Sequence, residues 1–183
     1  MSRSAFLRLE WSLSLALIAL ALGWAVARGL PLSSAWHVTP RALAAGTAAG
    51  ALLWLWIPLL SAAPGMRRLW DTVLIPFSRR LGTGDIVVIA LLSGISEELF
   101  FRGVLLPEIG LVGSSLLFGL LHALNPIYAL WAALTGMGFG LLAIYCGTLV
   151  TPIVAHTTYN LGALLVLRRW PARAAAPEGG TST

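Results

Sequence analysis

The 183-residue sequence is 58% hydrophobic and 10% charged, with a formal net charge of +5. A soluble domain carries about 25% charged residues, so this chain cannot cover itself with a polar surface. A soluble globular protein and a disordered one are both excluded; a single-domain integral membrane protein fits.

A spanning helix needs about 20 mostly apolar residues. In chain order that ruler marks residues 11–27, 42–60, 86–106, 109–124, 127–145 and 148–167. The first segment has Arg3 and Arg8 before it and ends on Ala25-Val26-Ala27, the form of a signal peptide with a small-residue cleavage site. Its length and the Arg28 that follows favour an uncleaved first helix instead. Between the second and third segments, Met66, Leu69, Trp70, Val73, Leu74 and Phe77 recur at helical intervals, with Arg67, Arg68 and Asp71 on other faces. The pattern predicts an amphipathic helix lying in the membrane interface or covering the bundle, and ending near Pro76. Gly82-Thr83-Gly84-Asp85 has the form of an intramembrane aspartyl protease motif. That chemistry needs two carboxylates sharing a proton, and the one other aspartate, Asp71, lies among the interfacial arginines. Asp85 reads better as the N-cap of the third helix.

The expected architecture is therefore all-α: a polytopic bundle of about six transmembrane helices plus one interfacial amphipathic helix. Residues 1–167 form one membrane domain, and residues 168–183 a flexible cytoplasmic tail. There is no lysine, and the twelve arginines stand in short clusters, with no basic face interleaved with aromatics for a nucleic acid. Nine of them fall on one side of the six spans, against Arg28 and Arg41 on the other, which predicts cytoplasmic termini. The lone Cys146 allows neither an intramolecular disulfide nor a multi-cysteine metal site.

The third span holds the anomaly. Glu97, Glu98 and Arg102 lie in a membrane helix, where each charge costs about 2.5–3.5 kcal/mol at the bilayer centre. Glu98 and Arg102, four apart, share a face and can pair; Glu97, rotated by about 100°, lacks that neutralisation. An inert polar knot would explain all three, but buried ion pairs seldom improve on apolar packing. The fourth span adds Phe118 and His122 on one face, and the sixth adds His156 and Asn160. Three helices with polar faces should converge on one water-accessible cavity. A carboxylate there is poised as a general base near neutral pH, a histidine can share its water, and a second histidine with an asparagine can donate to a tetrahedral oxyanion. The set suits hydrolysis of a peptide bond by an activated water. There is no H-E-x-x-H zinc motif, and Ser93, Ser96, Ser114 and Ser115 read as small packing residues.

Glu97-Glu98-x-x-x-Arg102, Phe118-x-x-x-His122 and His156-x-x-x-Asn160 resemble, in order, the three signature motifs of the CPBP family. This family comprises the CAAX prenyl endopeptidases and the bacterial bacteriocin-processing and self-immunity (Abi) proteins. The resemblance implies an intramembrane glutamic endopeptidase in which Glu97, with His122, activates the water. It also implies that His156 and Asn160 form the oxyanion hole, while Glu98, Arg102 and Phe118 support. Its substrate would be a membrane-associated protein or peptide, a C-terminal sorting signal or a peptide leader, in a bacterial inner membrane. No cofactor is implied. Three alternatives stand beside it: a zinc enzyme using Glu97, His122 and His156 as ligands, a non-catalytic peptide-binding or bacteriocin-immunity protein, and a proton-coupled transporter.

Overall fold

The computed structural model describes residues 2–171. Among these residues there are helices and no strands, and five helical stretches are long and apolar enough to cross a membrane. They are Arg3–Arg28, Pro40–Ala62, Thr83–Leu121, Pro126–Cys146 and Val150–Arg169. The protein is an all-α integral membrane protein.

Local chemistry explains where the helices start and stop. Helix α1 (Arg3–Arg28) begins where the Ser2 hydroxyl accepts the Ala5 amide and ends at Gly29, which takes the left-handed conformation. Helix α2 (Pro40–Leu53) is capped by Thr39 ahead of Pro40. It is followed by the short α3 (Trp56–Ala62). Helix α8 (Pro126–Cys146) is capped by Asn125 and closed by Gly147 at φ 64°. Helix α9 (Val150–Arg169) completes the bundle. It runs two residues past the expected domain edge at 167, and Trp170 then packs edge-on against Trp70, with centroids 5.5 Å apart. The remainder of the expected tail, 172–183, lies outside the described residues.

The expected third and fourth spans are one helical stretch, Thr83–Leu121, folded back on itself. Its first leg is α6 (Thr83–Phe100) and its second lies within α7 (Leu106–Leu121). The Arg102 guanidinium lies 4.8 Å from the centre of the Phe118 ring. A straight helix would separate those residues by about 24 Å. The reversal occurs at Gly110, whose φ of 75° and ψ of 174° belong to a region reserved for glycine. Beyond it the second leg is about 16 Å long, half of a hydrocarbon core, and stops at His122. The fourth expected crossing is thus a short hairpin leg, which leaves five of the six expected spans.

Helices α1 and α6 run parallel, tied at one end by Arg3 to Asp85 at 2.6 Å and at the other by Arg28 to Glu108 at 3.1 Å. Asp85 is not the N-cap; it sits in the first turn and accepts the amide of Gly82, the true cap, at 2.8 Å. Helices α4 (Pro64–Leu69) and α5 (Ile75–Ser78) flank a π turn, Trp70–Leu74, so the amphipathic segment continues through Pro76 rather than ending there. A second π turn, Phe101–Leu105, precedes Pro107 in the same way. Proline has no amide to donate and clashes with the carbonyl four residues back. Widening the preceding turn removes the conflict, with the Ile75 amide bonding Trp70 and the Leu106 amide bonding Phe101. Met66, Leu69, Trp70 and Ile75 are buried against Ile57 and Leu167, so the segment covers the bundle. Arg3, Arg67, Arg79 and Arg168 gather at the same end: Arg3 on Asp85, Arg67 and Arg79 on the carbonyls of Pro171 and Trp170, and Arg168 on Thr83.

Close packing of α2 on α9 rests on Gly46 and Gly50, a G-x-x-x-G pair. A Cβ added at Gly46 would lie 2.6 Å from the Thr151 carbonyl oxygen, and one at Gly50 would run into that of Ala155.

Candidate active site

The helix that carries Glu97 and Glu98 presents them differently. Glu98 faces the interior and is fully buried, and its Oε1 accepts Arg102 Nη1 at 2.8 Å, the pair expected from their spacing. Arg102 Nη2 donates to the Gly136 carbonyl at 2.6 Å, and its guanidinium is ringed by Phe101, Phe118 and Phe139 at 4.8–5.7 Å. A charge removed from water is here held by one carboxylate, one carbonyl and three ring faces.

Glu98 has a second partner. His156 Nδ1 lies 2.7 Å from the same Oε1, with the imidazole stacked on Phe139 at 5.0 Å and edge-on to Phe118 at 5.9 Å. With Nδ1–H committed to Glu98, Nε2 is the nitrogen turned towards Glu97, 4.0 Å from Oε2. His122, at the end of α7, is oriented in the same manner. Its Nδ1 bonds the Phe118 carbonyl at 2.8 Å, its ring stacks on Phe118 at 4.3 Å, and its Nε2 lies 3.5 Å from Glu97 Oε2. Phe118 thus supports His122, His156 and Arg102 at once.

Glu97 Oε2 is buried and makes no hydrogen bond. It borders a cavity of about 80 Å³, together with His122, His156, Asn160 and Tyr159. The 3.5 and 4.0 Å separations from the imidazoles are too long for direct bonds and right for an intervening water, and the cavity is larger than one water needs. Asn160 donates one amide hydrogen to Ser93 Oγ at 2.9 Å and keeps a second. All seven residues singled out in the sequence therefore meet: Glu97, His122, His156 and Asn160 on the cavity, Glu98, Arg102 and Phe118 around it. Ser96, Ser114 and Ser115 bond carbonyls of their own helices. No group of three or more His, Cys, Asp or Glu among the described residues meets the spacing of a metal site.

Two features escaped the sequence reading. Trp131 Nε1–H donates to the Tyr159 hydroxyl at 2.9 Å, placing a phenol beside Asn160 on the cavity wall. Its signal was a tyrosine inside the His156–Asn160 stretch. The second is Glu10, which lines a neighbouring cavity of about 230 Å³ that also reaches Glu97, Ser93 and Asn160. Drawing the first span from residue 11 placed Glu10 just outside it; the helix begins at Arg3.

Residues 80–162 match the family model of Rce1-like type II CAAX prenyl endopeptidases, and this segment contains all three motifs. The uncharacterized protein YpbD of Bacillus subtilis is 37% identical over 83 residues, covering 44% of this chain. That match spans 43% of the relative's own length. No solved structure matches. Over the segment that builds the site, similarity to the CAAX prenyl endopeptidases is shown.

Proposed function

We propose that the protein is an intramembrane endopeptidase of the CAAX type, hydrolysing a peptide bond of a membrane-associated protein or peptide with a water activated by Glu97 and His122. One observation carries this reading: Glu97 Oε2 and the Nε2 atoms of both histidines face one small cavity, with both Nδ1 atoms anchored behind them. A water bridging Glu97 Oε2 and His122 Nε2 offers a proton to each acceptor and directs a lone pair into the cavity. Glu97 takes its proton as the water oxygen attacks the substrate carbonyl carbon. The resulting oxyanion receives hydrogen bonds from the free Asn160 amide hydrogen and from the His156 imidazole, which Glu98 orients through Nδ1. Collapse of the intermediate breaks the carbon–nitrogen bond, and the proton held by Glu97 passes to the leaving amine. No covalent enzyme intermediate is involved, and no cofactor.

The proposed setting is a bacterial inner membrane, with both termini and the Arg3, Arg67, Arg79 and Arg168 end facing the cytoplasm. The test uses the full chain in nanodiscs with an internally quenched farnesylated CAAX peptide. Cleavage is expected for wild type, with a loss of about 10³-fold or more in Glu97→Gln and His122→Ala. Retained cleavage in both folded variants would overturn the proposal. The non-catalytic immunity reading predicts the reverse pattern, a protective phenotype that survives Glu97→Gln.

A further inference from the structure

Each acidic side chain among the described residues has a cationic or imidazole partner, with one exception. Asp71 is bound to Arg67, Asp85 to Arg3, Glu108 to Arg28 and Glu98 to Arg102 and His156, while Glu97 faces two imidazoles. Glu10 alone forms no ion pair. It is half-buried in α1 and borders the 230 Å³ cavity, whose other walls are mostly apolar and include no arginine or histidine. Four arginines at that end of the bundle are engaged elsewhere: Arg3 with Asp85, Arg67 with Asp71, Arg79 and Arg168 with backbone and hydroxyl oxygens. Arg8, on the same helix, is exposed.

An unpaired carboxylate within a membrane helix is costly and persists where something else supplies the charge. Here the cavity it lines is also lined by Glu97. We infer that Glu10 is a substrate-binding residue, taking a basic side chain of the peptide into the apolar cavity beside Glu97. The inference rests on the endopeptidase reading and deepens it by adding a charge requirement. Since α1 and α6 are parallel and held in register by Arg3 and Asp85, Glu10 lies about 8 Å nearer that end than Glu97 does. An extended peptide advances about 3.3 Å per residue. The basic residue therefore falls two to four positions from the scissile bond. Specificity would arise from the difference between a paired and an unpaired carboxylate rather than from fit alone.

The experiment uses full-length protein in nanodiscs and farnesylated CAAX peptides. The peptides are identical except for Lys, Gln or Glu placed in turn at the four positions before the prenylated cysteine and the three after it. Binding is read by fluorescence anisotropy and cleavage by chromatography. At one position wild type is expected to bind the Lys peptide about tenfold more tightly than the Gln peptide, and the Glu peptide more weakly still. Glu10→Gln should reduce that ranking to within about twofold, Glu10→Lys should invert it, and Glu10→Asp should keep its order. A wild type indifferent to charge at every position, or a ranking unchanged in Glu10→Gln, would overturn the inference. Should Glu10→Gln not fold, Glu10→Asp and wild type decide it by the presence of the Lys preference. Charge-ranked binding with no peptide cleaved would leave the Glu10 site standing and count against the endopeptidase; cleavage without ranking would do the opposite.

Discussion

His156 Nδ1 and Arg102 Nη1 converge on a single oxygen, Oε1 of Glu98, at 2.7 and 2.8 Å. That one atom links α6 to α9 and fixes which imidazole nitrogen faces Glu97. Glu98→Gln would keep the shape but turn a charge-assisted acceptor into a neutral one, leaving Arg102 buried without its counter-ion. Removing one member of a buried pair costs about 3–5 kcal/mol. The expected result is a lower thermal unfolding midpoint and a fall of about 10²–10⁴ in kcat, with His156 no longer oriented by a charged acceptor. The paired change Glu98→Leu with Arg102→Met should unfold at a higher temperature than Glu98→Gln while remaining inactive. Unfolding followed by intrinsic fluorescence, together with peptide cleavage, separates the two effects.

Tyr159 invites a similar dissection. Its hydroxyl oxygen accepts the Trp131 indole N–H at 2.9 Å, which frees its own hydrogen for the cavity beside Asn160. Tyr159→Phe would remove a potential oxyanion donor and orphan the indole N–H, at about 1–3 kcal/mol. A loss of about tenfold or more in kcat with KM unchanged is expected if the phenol donates in the transition state. Adding Trp131→Phe should recover stability, by removing the orphan, and leave kcat low. Recovery of kcat together with stability would reduce Tyr159 to a packing residue.

The candidate site was legible because ionisable groups stand out in an apolar chain and i,i+4 spacing puts them on shared faces. The Glu98–Arg102 and Phe118–His122 contacts follow from that spacing within one helix. The Glu98–His156 bond does not: the residues are 58 positions apart, and it required the docking of α9 on α6. Spacing alone pairs His156 with Asn160; tertiary packing gives each a different partner, Glu98 and Ser93. The reversal between the third and fourth spans was expected at residues 107–108 and falls at Gly110, since one glycine among 19 carries no local mark of its φ. The π turns ahead of Pro76 and Pro107 explain why proline did not end those helices, a rule that holds only for unaltered α geometry.

Gly46 and Gly50 set the approach of α2 to α9, the helix that carries His156 and Asn160. With an added Cβ at Gly50 running into the Ala155 carbonyl, Gly50→Ala must push the helices apart. A destabilisation of about 1–3 kcal/mol is expected for this overpacking. Gly23, in α1, has nothing within 4 Å of such a Cβ, so Gly23→Ala should leave the unfolding temperature unchanged or raise it. Thermal unfolding in detergent compares the two directly.

Metal dependence turns on Glu97, His122 and His156, which border one cavity. Histidines that bind metals commonly anchor Nδ1 on a carboxylate or carbonyl and offer Nε2, which is how His156 on Glu98 and His122 on the Phe118 carbonyl are held. This orientation also serves a water shared between carboxylate and imidazole, so geometry at the rings does not separate the chemistries, whereas metal content does. For the carboxylate mechanism, cleavage by protein prepared in metal-free buffer with a strong chelator should equal that of untreated protein, with less than about 0.1 equivalent of bound zinc by elemental analysis. Activity abolished by chelation and restored by about one equivalent of zinc would replace the metal-independent mechanism with one in which Glu97, His122 and His156 are ligands. In that case His156→Ala and His122→Ala should each lower zinc content, a readout independent of catalysis. Under the carboxylate mechanism both substitutions would abolish cleavage without any change in metal content.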